Sequence, residues 1–338
     1  MASKVLAKVV RGGVVESVHR GHLVVINGDK TVASAGNPNT VTFFRSAAKP
    51  LQAIPFITSG AADAFGFSDE EIALACASHS GESRHVRIAQ LMLERVGLSE
   101  IHLRCGAHLP FYDKEAERMQ REGEFPTQLH NNCSGKHAAM LATAKYIGSE
   151  IAEYEISENP IQKEILKVIS RFTQIPESKI GTATDGCAAP NFALPLASMA
   201  KSFMNLISPP DDLDQRTKEA CGRIVSAMRA FPELIGGSER LDTIMMQAAE
   251  GQIISKVGAE GVWLCGVLPN ETYPDGLAIA LKIEDGDDRR ARPVVAAALL
   301  EHLGILPEDA LPELSPMPVK NRRGDVVGKV VSVIDLAA

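Results

Sequence analysis

The chain has 338 residues, enough to bury one large core or two modest ones. It is 45% hydrophobic and 23% charged with mean hydropathy near zero, the composition of an ordinary globular protein. A net charge of -7 and a pI near 5.8 argue against nucleic acid or an anionic membrane as main partner, and no apolar run approaches a membrane span.

Residues 4–10 and 13–27 are valine-rich with charged interruptions and predict strands, with Asn27-Gly28-Asp29 as a hairpin signal. Short runs at 31–35 and 41–44 carry the β pattern to residue 45. There the chain changes character: Arg45-Ser46-Ala47-Ala48-Lys49-Pro50 leads into an apolar helix. Proline is tolerated only in a first turn, so Pro50 makes that helix start close to Ser46. Residues 67–148 read as helical. Ser68-Asp69-Glu70-Glu71 is a capping box ahead of 72–77, and a second helix runs from about Ser83 to Gly97. Between them, Ser78-His79-Ser80-Gly81-Glu82 is a short polar break whose hydroxyls either cap helices or face a pocket.

Residues 130–148 pass from a polar loop into a helix, and Asn159-Pro160 opens another that reaches about Phe172. Residues 181–190 predict a glycine-bearing loop ahead of an apolar helix. Further helices are expected at 211–230 and 238–250, joined across Gly236-Gly237. The β pattern returns at 252–257, 261–268 and 276–283, and a helix at 290–303 and a hairpin at 318–336 follow. Strands at both ends around a helical middle predict an α/β fold of the α+β kind in one domain, 1–338. Its antiparallel sheet would come from about 1–66 and 251–338, its helical part from about 67–250, with the site at their seam.

Several residues in this layout carry chemistry. Ser46 and Lys49, three apart at a helix start, share one face, where a neutral lysine amine can take a serine proton. Ser255-Lys256-Val257-Gly258 places a lysine and a glycine at the end of a strand, the glycine permitting close approach to backbone. Cys133 precedes a helix N-terminus, a position that favours the thiolate, with Lys136 and His137 within one turn and Cys187 in the later loop. Two sulfurs and a nitrogen can hold zinc; two buried reduced cysteines are the equal alternative. An amino-acid ligand needs an anion for its ammonium and a cation for its carboxylate: Asp185 suits the first, Arg45 or Arg240 the second. The six cysteines are too scattered for a disulfide framework, and residues 1–8 lack the apolar core of a signal peptide, so a reduced, cytoplasmic protein is expected.

Ser-x-x-Lys and a strand Lys-x-Gly resemble elements of the penicillin-recognising serine enzymes. Four stretches together, 45–50, 78–82, Asn132-Cys133-Ser134-Gly135-Lys136-His137 and Asp185-Gly186-Cys187, resemble the rhizobial-type L-asparaginases, the third structural class or asparaginase II family. The resemblance implies a fold like that of serine β-lactamases and glutaminases, hydrolysis of L-asparagine to L-aspartate and ammonia, and a homodimer. It implies two serine–lysine pairs, Ser46 with Lys49 and Ser78 with Lys256, with Ser46 as nucleophile. It also implies a zinc held by Cys133, Lys136 and Cys187, structural or substrate-positioning in role, and a substrate-side Asp185. The chain departs from the family at Gly237-Ser238-Glu239-Arg240-Leu241-Asp242, where Gly-x-Gly-Arg-Phe-Asp is commoner. The rivals are a glutaminase or β-lactamase-like peptidase, a Cys133 nucleophile with His137, and a non-catalytic amino-acid or zinc sensor.

Overall fold

A computed structural model describes residues 2–337. The chain divides into two compact units: residues 2–47, 194–204 and 245–337 form the first, residues 48–193 and 205–244 the second.

The first unit is built on an antiparallel sheet. From one edge its strands run Met317–Lys320, Val326–Ser332, Lys4–Arg11, Val14–Asn27, Leu277–Ile283, Val262–Val267 and Ile253–Gly258. Lys30–Ala35 adds to the second half of Val14–Asn27 through a two-residue turn, with Asn27 opposite Lys30 and Gly28 at the positive φ that such turns require. Both ends of the chain enter one sheet, as expected: Ala7 pairs with Ser332 and Val24 with Ala280. Helix Ala291–His302 packs along this sheet and is buried almost all round. The strands Ile253–Gly258 and Val262–Val267 are buried at every residue; the second is a continuous apolar run, whereas the first carries Ser255 and Lys256 inside. Trp263 is fully buried there, and its indole N–H donates to Ser255 Oγ at 2.8 Å, which meets the one polar demand of the ring.

The second unit is helical. Its central element is Ser134–Tyr146, buried continuously from Ser134 to Ala144, and the helices Ile54–Thr58, Ala61–Ala64, Asp69–Ala75, Ser83–Arg95 and Pro160–Thr173 pack around it. Surrounded on all sides, it has no polar stripe, and its many small residues (Ser134, Gly135 and four alanines) let neighbours approach. Gly135 is the closest approach: a Cβ there would lie 2.3 Å from the carbonyl oxygen of Leu74. The capping signals hold. Ser68 and Glu71 form the reciprocal capping box, and Asn159 accepts from Ile161 N–H ahead of Pro160.

Residues 181–190 are not the loop expected. Gly181–Thr184 pairs with the strand beginning at Pro190, Gly181 opposite Ala193, so the stretch is a hairpin. Its first strand, Gly-Thr-Ala-Thr, is exposed throughout and has no apolar alternation to announce it. Among the described residues no helix is long and apolar enough to cross a membrane.

Candidate active site

In the second unit the apolar run 72–77 is buried almost completely and delivers Ser78 into the interior, 3% exposed. Ser78 N–H donates to Ile235 O at 2.9 Å, which anchors the segment to the last residue of helix Pro232–Ile235. Lys49 opens the short helix Lys49–Gln52, has Pro50 in its first turn and is 1% exposed. Its Nζ lies 2.9 Å from Ser78 Oγ, 2.6 Å from Ala77 O and 3.2 Å from Asn132 O. A neutral amine has two N–H bonds and one lone pair. In the resting arrangement Nζ donates to both carbonyls and to the Ser78 hydroxyl; a proton lost from the amine would leave its lone pair facing one of these partners, of which only the hydroxyl carries a proton to give.

Asn132 is itself held in place. Its N–H donates to His108 Nε2 at 3.0 Å, so the His108 proton sits on Nδ1 and donates to Leu109 O at 2.7 Å. His79, next to Ser78, is fully buried. Gly81 N–H donates to its Nδ1, so its Nε2–H donates to Ser134 Oγ at 2.9 Å. Burial, with the stacked His85 ring adding to it, holds His79 well below the ordinary imidazole value, so the ring is a neutral link between the Ser78 segment and the start of helix Ser134–Tyr146.

That helix start carries the second cluster. Cys133, Lys136 and Cys187 are each buried, and Lys136 Nζ donates to Cys187 Sγ at 3.1 Å. The neighbouring Cys187 sulfur, with burial, pushes the free Cys133 thiol well above an ordinary one; against burial, the Cys133 thiol and the Lys136 charge hold Cys187 far below one. Burial works against the charge on Lys136, but the two sulfurs outweigh it and its pKa is raised. Of the two sulfurs, Cys187 is the one that the thiol beside it and the lysine charge favour as a thiolate. Among the described residues no three His, Cys, Asp or Glu side chains are disposed to hold a metal. The donor set is instead two sulfurs with the lysine nitrogen, whose types fit zinc once the thiol and the ammonium lose their protons. His137 completes the surroundings, its Nδ1 2.6 Å from the buried Tyr154 hydroxyl, which accepts Arg104 N–H.

The remaining candidates fall as follows. Asp185 is half-buried on the hairpin turn two residues before Cys187, its backbone closing the turn with Ala188 and Ala189. Arg240 is half-buried with its guanidinium over the Phe111 ring, 5.3 Å from the centroid, and Phe111 stacks in turn on His108. In the first unit, Arg45 has a φ of 51°, a left-handed backbone that costs energy in a non-glycine residue. Ser46 follows it and is partly exposed. Lys256 is fully buried on its strand. The absent Cβ of Gly258 would meet Phe44 O at 2.7 Å, so the segment leading to Ser46 lies against the end of the Lys256 strand. Thus Lys49 meets Ser78, and Cys133, Lys136 and Cys187 converge. His79, Glu82, His108 and Tyr154 join these networks without a signal of their own in the sequence, beyond the density of small polar residues at 78–82 for the first two.

Among curated proteins no relative matches this chain. Solved structures with a resembling path include a probable glutaminase from Bacillus subtilis complexed with 6-diazo-5-oxo-L-norleucine. That pair is 14% identical over 86% of this chain and 85% of the other, with a TM-score of 0.39. A β-lactamase from Mycobacterium bovis is 12% identical over 83% and 94%, with a TM-score of 0.42. One from Burkholderia ambifaria is 12% identical over 85% and 94%, also at 0.42. These likenesses are too loose to transfer a function. The model of the L-asparaginase II family, by contrast, matches residues 7–332, nearly the whole length, and the chain belongs to that family.

Proposed function

We propose that the chain hydrolyses L-asparagine to L-aspartate and ammonia by a serine acyl-enzyme route. The observation that carries the proposal is the Lys49 amine, held by two backbone carbonyls with Ser78 Oγ 2.9 Å away. A lysine within hydrogen-bond reach of a hydroxyl can take its proton once the amine has given one up, the part a serine amidohydrolase needs and a sensor does not. Family membership supports the amide substrate.

Two hydroxyls are available for the attack. We assign it to Ser46, which has the Ser-x-x-Lys spacing and is partly exposed, and assign proton transfer to Lys49 and Ser78. Attack on the side-chain amide carbon forms the ester, and the proton goes to departing ammonia; water then releases aspartate and restores the serine. Asp185 suits the substrate ammonium and Arg240 its carboxylate, each half-buried and so only partly screened. Cys133, Lys136 and Cys187 would hold zinc. A bound zinc would supply a fixed positive charge and tie the start of helix Ser134–Tyr146 to the hairpin carrying Asp185.

The test is ammonia release from L-asparagine and L-glutamine by wild type, Ser46→Ala and Ser78→Ala. Asparagine turnover lost in Ser46→Ala, with the fold intact, supports the assignment. Turnover kept in Ser46→Ala and lost in Ser78→Ala moves the attack to Ser78. A preference for glutamine makes the chain a glutaminase, and no turnover of either amide by zinc-supplied wild type sinks the proposal.

A further inference from the structure

The Ser78 segment continues into Ser80 and Glu82, and both face the loop 236–240 of the same unit. The Glu82 carboxylate is largely buried and takes three donors: Ser80 O–H at 2.6 Å, Ser238 N–H at 2.7 Å and Ser238 O–H at 3.0 Å. Against burial, which works the other way, these donors hold its carboxyl below the ordinary range. Gly237 sits between them with a φ of 102°, and a Cβ there would fall 1.8 Å from Ser80 Oγ, so the two segments are in closest contact at this point. Three residues beyond Glu82, His85 accepts the Glu82 N–H on Nδ1 and so donates from Nε2 to Glu233 O at 3.0 Å. Together with Ser78 N–H on Ile235 O, residues 78–85 are stitched to 233–238 along their length.

We propose that Glu82 is a positioning residue: its carboxylate clamps the segment carrying Ser78 to the loop leading to Arg240, setting the separation of proton-transfer group and carboxylate receiver. The inference rests on the amidohydrolase reading above, in which Ser78 and Arg240 serve the same substrate. Glu82 itself touches neither; it acts through Ser80 and Ser238. What matters is the placement it enforces. An amide of the same shape preserves that, its oxygen accepting from Ser80 and Ser238 N–H while its NH2 donates to Ser238 Oγ.

The experiment compares wild type with Glu82→Ala, Glu82→Gln and Gly237→Ala, reading kcat and KM for L-asparagine and amide hydrogen exchange over residues 78–85 and 233–240. In Glu82→Ala, kcat/KM is expected to fall about 10- to 100-fold through both a lower kcat and a higher KM, the penalty of misplacement by roughly an ångström. Glu82→Gln should recover to within about threefold of wild type. Gly237→Ala, which keeps the carboxylate but forces the segments apart, should resemble Glu82→Ala. Glu82→Ala within about twofold of wild type overturns the proposal, as does Glu82→Gln as impaired as Glu82→Ala, which would assign the role to charge. Should wild type release no ammonia, the amidohydrolase reading fails by itself. The clamp is then judged by exchange: protection of the Ser78 and Ser238 amides lost in Glu82→Ala and regained in Glu82→Gln supports it, and unchanged protection overturns it.

Discussion

Two helical glycines of the second unit should respond in opposite directions to the same substitution. Gly135 is the second residue of helix Ser134–Tyr146, and an added Cβ would stand 2.3 Å from Leu74 O, 2.6 Å from its Cγ and 2.8 Å from its carbonyl carbon. Ordinary carbon–oxygen contact begins near ~3.3 Å, so helix Ser134–Tyr146 must retreat from helix Asp69–Ala75 by about 1 Å. The obstacle is backbone, which no rotamer change relieves. Overpacking of this kind costs about 1–3 kcal/mol. The retreat also draws Asn132 O, already 3.2 Å from Lys49 Nζ, out of hydrogen-bond range, adding about 1 kcal/mol. Gly135→Ala should therefore lose about 2–4 kcal/mol and, with Lys49 released on one side, about 10- to 100-fold in asparagine turnover. Gly222 lies inside helix Gln215–Ala230, exposed, with nothing within 4 Å of its absent Cβ. There alanine only removes backbone freedom from the unfolded chain, and Gly222→Ala should gain about 0.5–1 kcal/mol. Urea unfolding followed by far-UV circular dichroism reads the helical unit; the single tryptophan, Trp263, reports on the other one. A Gly135→Ala protein as stable as wild type, or a destabilised Gly222→Ala, would refute the reasoning.

Lys49→Met keeps the length and loses the amine, and kcat for asparagine should drop about 100- to 10,000-fold; retention of more than a tenth of wild-type turnover would remove Lys49 as the base. Burial lowers His85 from 6.5 to about 4, so it stays neutral in the native protein where the unfolded chain already binds a proton. Stability is therefore complete above pH ~6.5 and falls as pH drops towards ~4, by roughly 3 kcal/mol in all. In the His85→Gln variant that slope should flatten, and an unchanged acid profile would show the titration lies elsewhere. Metal analysis after dialysis against zinc should find the ion in wild type and in Cys76→Ala and find it absent in the Cys133→Ser/Cys187→Ser double variant; equal zinc in all three would end the assignment of those ligands. Ser68→Ala removes one half of the capping box and should cost about 1 kcal/mol in the same urea titration, with no change in turnover.

The local signals were legible because they are written by neighbours in sequence. The Ser68–Glu71 box, the Asn159 cap, the Asn27–Lys30 turn and the terminal strands follow from caps, turn residues and apolar period alone. The exposed strand Gly181–Thr184 did not, because without a buried face it has no period. The site residues were legible one by one, as residue types suited to a chemistry. Which of them meet was not. Spacing paired Lys49 with Ser46, yet its Nζ rests on Ser78, twenty-nine positions away, and only the packing of helix Lys49–Gln52 beside the end of the buried run 72–77 decides that. Lys136 Nζ reaches Cys187 Sγ, fifty-one positions away, because a helix start and a hairpin turn converge, and the Cys133 thiol and that lysine's charge lower Cys187 against the opposing effect of burial. Protonation and contact depend on the dielectric and neighbours that folding brings, and a sequence holds only the residues that will be subject to them.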